Sequence, residues 1–234
     1  MKKQNLFYTL LLIGIVVILA NSCKKEDEQS EQKPKVYGTV SDIDGNVYKT
    51  VTIGDQTWMI ENLKVTRFRN GDSIIHVTNN NSWATLTKGA YCSYENVDTV
   101  NVAIYGRLYN YYAIADTNNI CPNGWHIPTD AEWMTLISYL GGENVAGGKL
   151  KKIDSTWNMP NTSANNETGF SALPGGFRNF NGSFIEIGYN SSWWSSTSVS
   201  FSSAYYQDLS YNNGQIYKGV AHFRSGFYVR CVKD

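Results

Sequence analysis

The chain has 234 residues, of which 42% are hydrophobic and 17% are charged, and its 20 basic residues balance its 20 acidic residues. This balance excludes a basic nucleic-acid-binding module and an acidic disordered chain. Twenty glycines, together with 7 Trp, 16 Tyr and 9 Phe, indicate a turn-rich globular domain with an aromatic core.

The first 22 residues have the pattern of an export signal. Two lysines follow the first methionine, and a mostly apolar run covers residues 6–20. This run is shorter than the roughly 20 apolar residues that a membrane-spanning helix needs. Residues 19–23, Leu-Ala-Asn-Ser-Cys, resemble a bacterial lipobox, although alanine replaces the usual leucine three positions before the cysteine. The resemblance implies lipidation of Cys23; an uncleaved signal anchor or simple secretion are the alternatives.

Residues 23–35 are charged and lack apolar periodicity, so we expect a disordered, solvated tether. Its start, Lys-Lys-Glu-Asp-Glu at 24–28, resembles the tag that carries some Bacteroidetes lipoproteins to the outer face of the outer membrane. The sequence therefore divides into a lipoprotein signal peptide (1–22), a tether (23–35) and a single domain (36–234). We expect the protein to lie at the outer membrane, where the lipid anchor makes the membrane contact. The tag further implies that the domain is exposed at the cell surface.

The domain begins with three predicted strands, at 36–40, 47–53 and 57–60. Asp-Gly and Gly-Asp pairs lie between them and favour tight hairpin turns. Residues 62–90 are polar with few regular signals and are predicted to be a long loop. Residues 105–113 are aromatic, and their periodicity leaves a short helix and a strand equally open.

A helix start at 128–133, Pro-Thr-Asp-Ala-Glu-Trp, is the clearest local signal. Thr129 and Glu132 have the spacing of a capping box. Four apolar residues then follow at i, i+3, i+4 and i+7, which predicts one helix face in the core: Trp133, Leu136, Ile137 and Leu140. The glycines at 141–142 predict the end of this helix, and a second helix is expected at about 144–152.

Strands and turns return after residue 154. The candidate strands are 169–173, 183–187, 193–197, 204–210, 221–223 and 227–232. Alternation puts Phe227, Val229 and Cys231 on one face of the last strand. No period of 20–50 residues recurs, so the sequence predicts one α+β domain.

Three cysteines remain if Cys23 is acylated: Cys92, Cys121 and Cys231. An exported chain enters an oxidising compartment, so one pair and one leftover thiol are expected. We predict a Cys121–Cys231 disulfide, because Cys231 lies near the chain end and the bond would hold the last strand. Cys92 is then expected to be a small buried hydrophobic residue.

No cofactor or metal site is predicted. The sequence has no C-x-x-C pair, its three histidines are far apart, and it has no phosphate-binding glycine motif. His126 between Trp125 and Ile127 is interpreted as structural, and Glu132 as a cap. A glycosidase pair of Glu167 and Glu186 has no local support.

Six separated phrases, taken together, resemble the Fibrobacter succinogenes major paralogous domain, a family of exported bacterial proteins without an assigned activity. The resemblance covers about residues 48–233. The phrases are VTIGDQTWMIENL (51–63), YGRLYNY (105–111), CPNGWHIPTDAEW (121–133), GFSALPGGFR (169–178), WSST (194–197) and VRCV (229–232).

That family is similar to the C-type-lectin-like and formylglycine-generating-enzyme folds. The resemblance implies an α+β fold with two helices, a mixed twisted sheet and long irregular loops. The formylglycine-generating enzymes bind copper through two neighbouring cysteines, and Cys231 has no such neighbour. The calcium-binding motifs of sugar-binding lectins are also missing, since residues 157–159 read Trp-Asn-Met where Trp-Asn-Asp is needed. The resemblance therefore implies no catalytic residues and no calcium-dependent sugar binding by that route.

Four aromatic residues lie in polar, Asn/Gly-rich surroundings and are candidate ligand contacts, although aromatic residues also fill cores: Trp83, Tyr189, Tyr211 and Tyr217. The expected function is non-catalytic binding or display, with a glycan or another envelope protein as partner and no nucleic acid. The alternatives are an extracellular enzyme that acts on polysaccharide or protein side chains, and a purely structural surface component.

Overall fold

The computed structural model describes residues 35–234. The predictions for the signal peptide, for lipidation at Cys23 and for the tether up to residue 34 lie outside this range. The strands are β1 (Tyr37–Ser41), β2 (Val47–Ile53), β3 (Gln56–Met59), β4 (Ile75–His76), β5 (Ala90–Cys92), β6 (Leu108–Tyr109), β7 (Trp125–His126), β8 (Gly175–Arg178), β9 (Phe184–Ile187), β10 (Asn190–Ser198), β11 (Ser203–Ser210), β12 (Ile216–His222) and β13 (Val232–Lys233). The helices are α1 (Asn80–Ala84), α2 (Asp98–Tyr105), α3 (Tyr111–Ile114), α4 (Asp130–Tyr139) and α5 (Glu143–Leu150), with a 3-10 turn at Tyr94–Asn96. None of these helices is long and apolar enough to cross a membrane.

The three predicted N-terminal strands are three of the five strands of the first sheet, which has the order β1-β2-β3-β13-β7. Gly45 and Gly54 adopt positive φ in the two hairpin turns, as the Asp-Gly and Gly-Asp pairs predict. Val232 of β13 pairs with Trp58 of β3 and with His126 of β7. The end of the chain is therefore held inside this sheet.

The second sheet has the order β12-β11-β10-β8-β9, and β4, β5 and β6 form a small third sheet. The predictions at 183–187, 193–197 and 204–210 are confirmed as parts of β9, β10 and β11. The prediction of a strand at 169–173 is wrong, because Gly169 and Ser171 both adopt positive φ, which breaks an extended strand. Strand β8 was not predicted.

Helix α4 begins and ends as predicted. The Thr129 hydroxyl accepts the Glu132 N–H at 3.2 Å, and the Glu132 carboxylate accepts the Thr129 N–H at 2.7 Å. The apolar face is buried as predicted: Trp133, Leu136, Ile137 and Leu140. Gly141 and Gly142 adopt positive φ after the last turn.

Helix α5 confirms the second predicted helix, and its glycines explain how it packs. A Cβ on Gly147 would lie 2.0 Å from the Gln215 carbonyl oxygen, and one on Gly148 would lie 2.4 Å from the Ser163 carbonyl oxygen. Glycine at these positions therefore lets two loops approach the helix closely.

The expected number of two helices was too low. The predicted loop at 62–90 contains α1, which begins where the Asn79 side chain accepts the Ser82 N–H at 2.9 Å. Residues 105–113 contain both a strand, β6, and a helix, α3. Asn110 separates them, since its side-chain oxygen accepts N–H groups from Ala90 and Ala113. These elements are too short for hydrophobic periodicity to reveal them.

The predicted Cys121–Cys231 disulfide is present, with a Cα–Cα distance of 6.0 Å. It joins the segment before β7 to the segment before β13. Cys92 is free and buried, as predicted. Burial raises the pKa of its thiol to about 12.

Three buried cationic side chains bind backbone carbonyls and thereby hold neighbouring loops and turns in place. Lys151 Nζ donates to three carbonyl oxygens, those of Thr162, Ser210 and Asn213, at 2.7–2.9 Å. The Arg178 guanidinium donates to the carbonyls of Val77, Thr78 and Gly182. The Arg230 guanidinium donates to the carbonyls of Phe170 and Ser171 and to the Asn62 side chain. Loops without sheet hydrogen bonds thereby find donors for their buried carbonyls.

Candidate functional site

One end of the second sheet brings together three of the four predicted contact residues. Tyr189 lies just before β10, Tyr211 just after β11, and Tyr217 within β12. Tyr189 and Tyr217 are 47% and 64% exposed, and Tyr211 is partly buried. The rings of Tyr189 and Tyr211 meet edge to face at 5.2 Å.

The structure corrects the prediction that Trp83 is an exposed ligand contact. It is fully buried in the core, its Nε1 donates to the Arg224 carbonyl at 2.6 Å, and its ring lies 4.3 Å from the Arg178 guanidinium. The polar residues around it in sequence lie on the exposed side of α1. Trp83 is the one residue of this helix that is buried. Trp83 is therefore a core residue.

Asp208 of β11 lies next to Tyr217 and was not predicted. The two residues are direct cross-strand partners, and Asp208 also pairs with Ser192 of β10, so all three share one sheet face. The Ser192 hydroxyl donates to one carboxylate oxygen at 2.7 Å, and the Asn190 side chain donates to the other at 2.9 Å. We call these four residues the Asp208 site.

The charge of Asp208 is set by its surroundings. Burial raises the pKa of its carboxyl to about 7, the Ser192 hydrogen bond opposes this, and the negative charge of Glu186 adds to the rise. At neutral pH the group can therefore accept hydrogen bonds as a carboxylate or donate one as a carboxylic acid. A fixed Asp–Ser–Asn set beside an exposed tyrosine ring can bind hydroxyl or amide groups of a ligand whose apolar face stacks on the ring.

Tyr189 and Tyr211 are a separate pair. Tyr211 packs against the core cluster that includes Trp193, Leu209 and Ile216, which lies on the opposite face of the sheet from Asp208 and Tyr217. The three tyrosines thus meet at one sheet end without forming a single flat surface.

His126 and Glu132 lie elsewhere, at the start of α4. His126 Nε2 lies 2.6 Å from Glu132 Oε1, and His126 Nδ1 lies 2.6 Å from Asp234 Oδ1. A neutral imidazole has only one N–H, so two carboxylate partners require the protonated form. Burial opposes that form, but the hydrogen bonds to Asp234 and Glu132 outweigh it and raise the pKa of His126.

The remaining sequence candidates are engaged or dispersed. Glu167 pairs with Lys149 at 2.9 Å. Glu186 adopts a positive φ and is exposed as a whole residue. Its carboxyl group is partly shielded from solvent, and this desolvation raises its pKa. Among residues 35–234, no three His, Cys, Asp or Glu side chains lie close enough together to hold a metal ion.

The chain matches one protein family over most of its length. The model of the Fibrobacter succinogenes major domain matches residues 51–233, more than three-quarters of the chain. No curated protein and no solved structure matches it. The matched range contains the Asp208 site, the disulfide and helix α4. The chain therefore belongs to the Fibrobacter succinogenes major domain family.

Proposed function

We propose that this protein is a lipid-anchored component of the bacterial outer membrane whose C-type-lectin-like domain binds a glycan or another envelope protein and performs no chemistry. Acylation of Cys23 would hold it at the membrane, since each buried CH₂ contributes ~0.8 kcal/mol and more than one acyl chain suffices for stable attachment. The charged segment after Cys23 would connect the anchor to the domain and favours display at the cell surface.

The Asp208 site is the observation that carries the binding function. Tyr217 is 64% exposed and lies across the strand pair from a carboxyl group that Ser192 and Asn190 hold in one orientation. Such preorganisation lowers the entropy cost of binding. An exposed aromatic residue beside a polar carboxyl group suits one or two sugar units or a polar peptide segment.

Three side chains that could take part in catalysis are buried or hydrogen-bonded to other groups, which supports a non-catalytic role. The imidazole of His126 is enclosed by two carboxylates, and Glu132 caps α4 at the same time. The Cys92 thiol is buried with a raised pKa, which disfavours the nucleophilic thiolate. None of these groups faces Asp208 in the manner of a general base beside a nucleophile.

An enzyme acting on polysaccharide or protein side chains is the second candidate, and Asp208 itself is the observation that favours it. A carboxyl group with a pKa of about 7 near a second carboxylate, Glu186, is a feature of general acids. The two candidates make opposite predictions about what happens to a bound glycan.

A glycan array followed by product analysis tests the proposal. We expect the purified protein to bind a subset of glycans, Tyr217→Ala to abolish that binding, and the glycans to remain intact. Tyr139→Ala is the matched control, because Tyr139 is also 64% exposed but lies on α4. Cleavage that Asp208→Asn removes would establish the enzyme, and silence on glycan and envelope-protein probes would leave the structural role.

The lipid anchor is tested separately. Intact mass of the protein from its native membrane should show diacyl or triacyl modification, and Cys23→Ser should release the protein into the soluble fraction. An unmodified Cys23 in membrane-bound protein would contradict the anchor.

A further inference from the structure

A groove of about 420 Å³ lies between the β1–β2 hairpin and the loop 166–171, and it shares no residue with the Asp208 site. Tyr37 of β1 and Lys49 of β2 lie on the same face of the first sheet, and the groove lies over this face. The residues that matter for the argument are Lys35, Tyr37, Lys49, Asn166, Gly169 and Ser171.

Two lysines give the groove its positive charge. Lys35 and Lys49 both line it, no lining residue carries a carboxylate, and within residues 35–234 neither ammonium forms a salt bridge. Behind the wall, the buried Arg230 guanidinium donates to the Ser171 carbonyl. Its charge is offset by Glu61, whose carboxylate accepts the backbone N–H of Lys49 at 2.8 Å, so the charge offered to a ligand comes from the two lysines.

The wall of the groove is fixed. The Asn166 amide donates to the Ser171 hydroxyl at 3.0 Å, and the Ser171 N–H donates back to the Asn166 side-chain oxygen at 2.9 Å. Gly169 has φ +77, and a Cβ there would lie 3.0 Å from the Tyr37 hydroxyl oxygen. Only glycine therefore lets this loop adopt its conformation so close to the tyrosine.

Tyr37 gives the groove an aromatic side as well as charge. The residue is 58% exposed, with its hydroxyl against the loop. Two ammonium groups match an anion, a ring face matches the apolar face of a sugar, and the Ser171 hydroxyl and Asn166 amide match sugar hydroxyls. The volume is that of a pocket for a small ligand.

We propose that this groove binds an acidic sugar, with the carboxylate between Lys35 and Lys49 and the sugar ring against Tyr37. A free phosphate would use the ammonium groups but would leave the tyrosine ring without a role. The site is independent of the Asp208 site, so its ligand can be tested without knowing the ligand of the other.

Calorimetric titration of the purified protein with trigalacturonate, maltotriose and inorganic phosphate tests the proposal. Trigalacturonate should bind, its affinity should fall with added salt, and the neutral maltotriose should not bind at this groove. Lys49→Gln should weaken binding about five-fold, as expected for an exposed ion pair. Lys35→Gln combined with Lys49→Gln should weaken it further, and Tyr37→Ala should weaken it without changing the salt dependence.

Two controls make every outcome decisive. Lys233→Gln removes an exposed lysine outside the groove and should leave binding unchanged. Each titration is repeated in the Tyr217→Ala background, in which the Asp208 site should no longer bind a glycan. Thermal unfolding of each variant checks that it is folded. If Tyr37→Ala does not fold, the lysine variants still test whether the groove binds the acidic sugar. In the Tyr217→Ala background, equal binding of both trisaccharides, phosphate binding without trigalacturonate binding, or full affinity after both lysine substitutions would each overturn the proposal.

Discussion

Replacing Lys151 with methionine should destabilise the domain strongly. The side chain is fully buried, and its ammonium is the donor for three carbonyl oxygens in two segments, the loop at Thr162 and the stretch from Ser210 to Asn213. Methionine preserves much of the volume but leaves these acceptors without their donor. Each orphaned buried acceptor costs about 1–3 kcal/mol. Relief of the ammonium's own desolvation offsets part of this, so the expected net loss is ~3–5 kcal/mol, the range for breaking a buried charged interaction.

Urea unfolding followed by tryptophan fluorescence measures this loss. Lys149→Met is the matched control, because Lys149 lies two residues before Lys151 but forms a partly exposed ion pair with Glu167, which contributes at most about 1 kcal/mol. A domain of this size loses roughly 2–4 °C in Tm per kcal/mol, so Lys151→Met should melt about 10 °C lower. Equal stabilities of the two variants would refute the view that the buried cation holds the loops.

The pH dependence of the same variant gives an independent check. Burial lowers the pKa of Lys151 to about 8, below its value of ~10.4 in an unfolded chain. Between these pH values the unfolded state binds more protons, so the contribution of Lys151 to the unfolding free energy rises with pH. Lys151→Met should lack this rise, and an unchanged pH profile would contradict the lowered pKa.

Three further predictions concern other parts of the fold. Replacing both Cys121 and Cys231 with serine should cost ~4–5 kcal/mol in unfolding free energy by the chain-entropy model, measured by urea unfolding; a loss below 1 kcal/mol would show that the last strand is held by other contacts. The raised pKa of His126 means that its stabilising contribution is complete below pH ~6.5 and is lost as pH rises through the folded-state pKa; His126→Gln should flatten this part of the stability profile, whereas an identical slope in both proteins would argue against the imidazolium. Cys92 should resist alkylation by iodoacetamide in the folded protein, because its thiol is buried and its pKa is about 12; mass spectrometry showing rapid modification without unfolding would contradict its placement.

The sequence predicts those features whose cause is local. The Thr129–Glu132 box and the following apolar spacing predict α4, and the turn residues predict the hairpins around β2. The disulfide is not a local feature: three cysteines allow three pairings, and the position of Cys231 near the chain end favoured the pairing with Cys121 that the structure has. The short helices were missed because one asparagine cap and one buried aromatic residue, such as Asn79 and Trp83 in α1, leave no periodic signal.

The buried cations and the Asp208 site have long-range causes. Lys151 lies between Leu150 and Lys152, and nothing in this run shows which lysine turns inward to meet carbonyls from residues 162, 210 and 213. Asp208 gains its environment from strand register, which pairs it with Ser192 on one side and Tyr217 on the other. Polar sequence surroundings pointed to Tyr217 correctly as an exposed residue and to Trp83 wrongly.

Carbon-13 NMR of the Asp208 side-chain carboxyl, titrated with and without the best-bound glycan of the array, tests the proposed binding site most directly. The carboxyl should titrate with a midpoint near pH 7 in the free protein, the midpoint should move when the glycan is added, and the glycan should be recovered intact. A midpoint near pH 4 that the glycan leaves unchanged, or recovery of cleaved glycan, would contradict a non-catalytic binding site at Asp208.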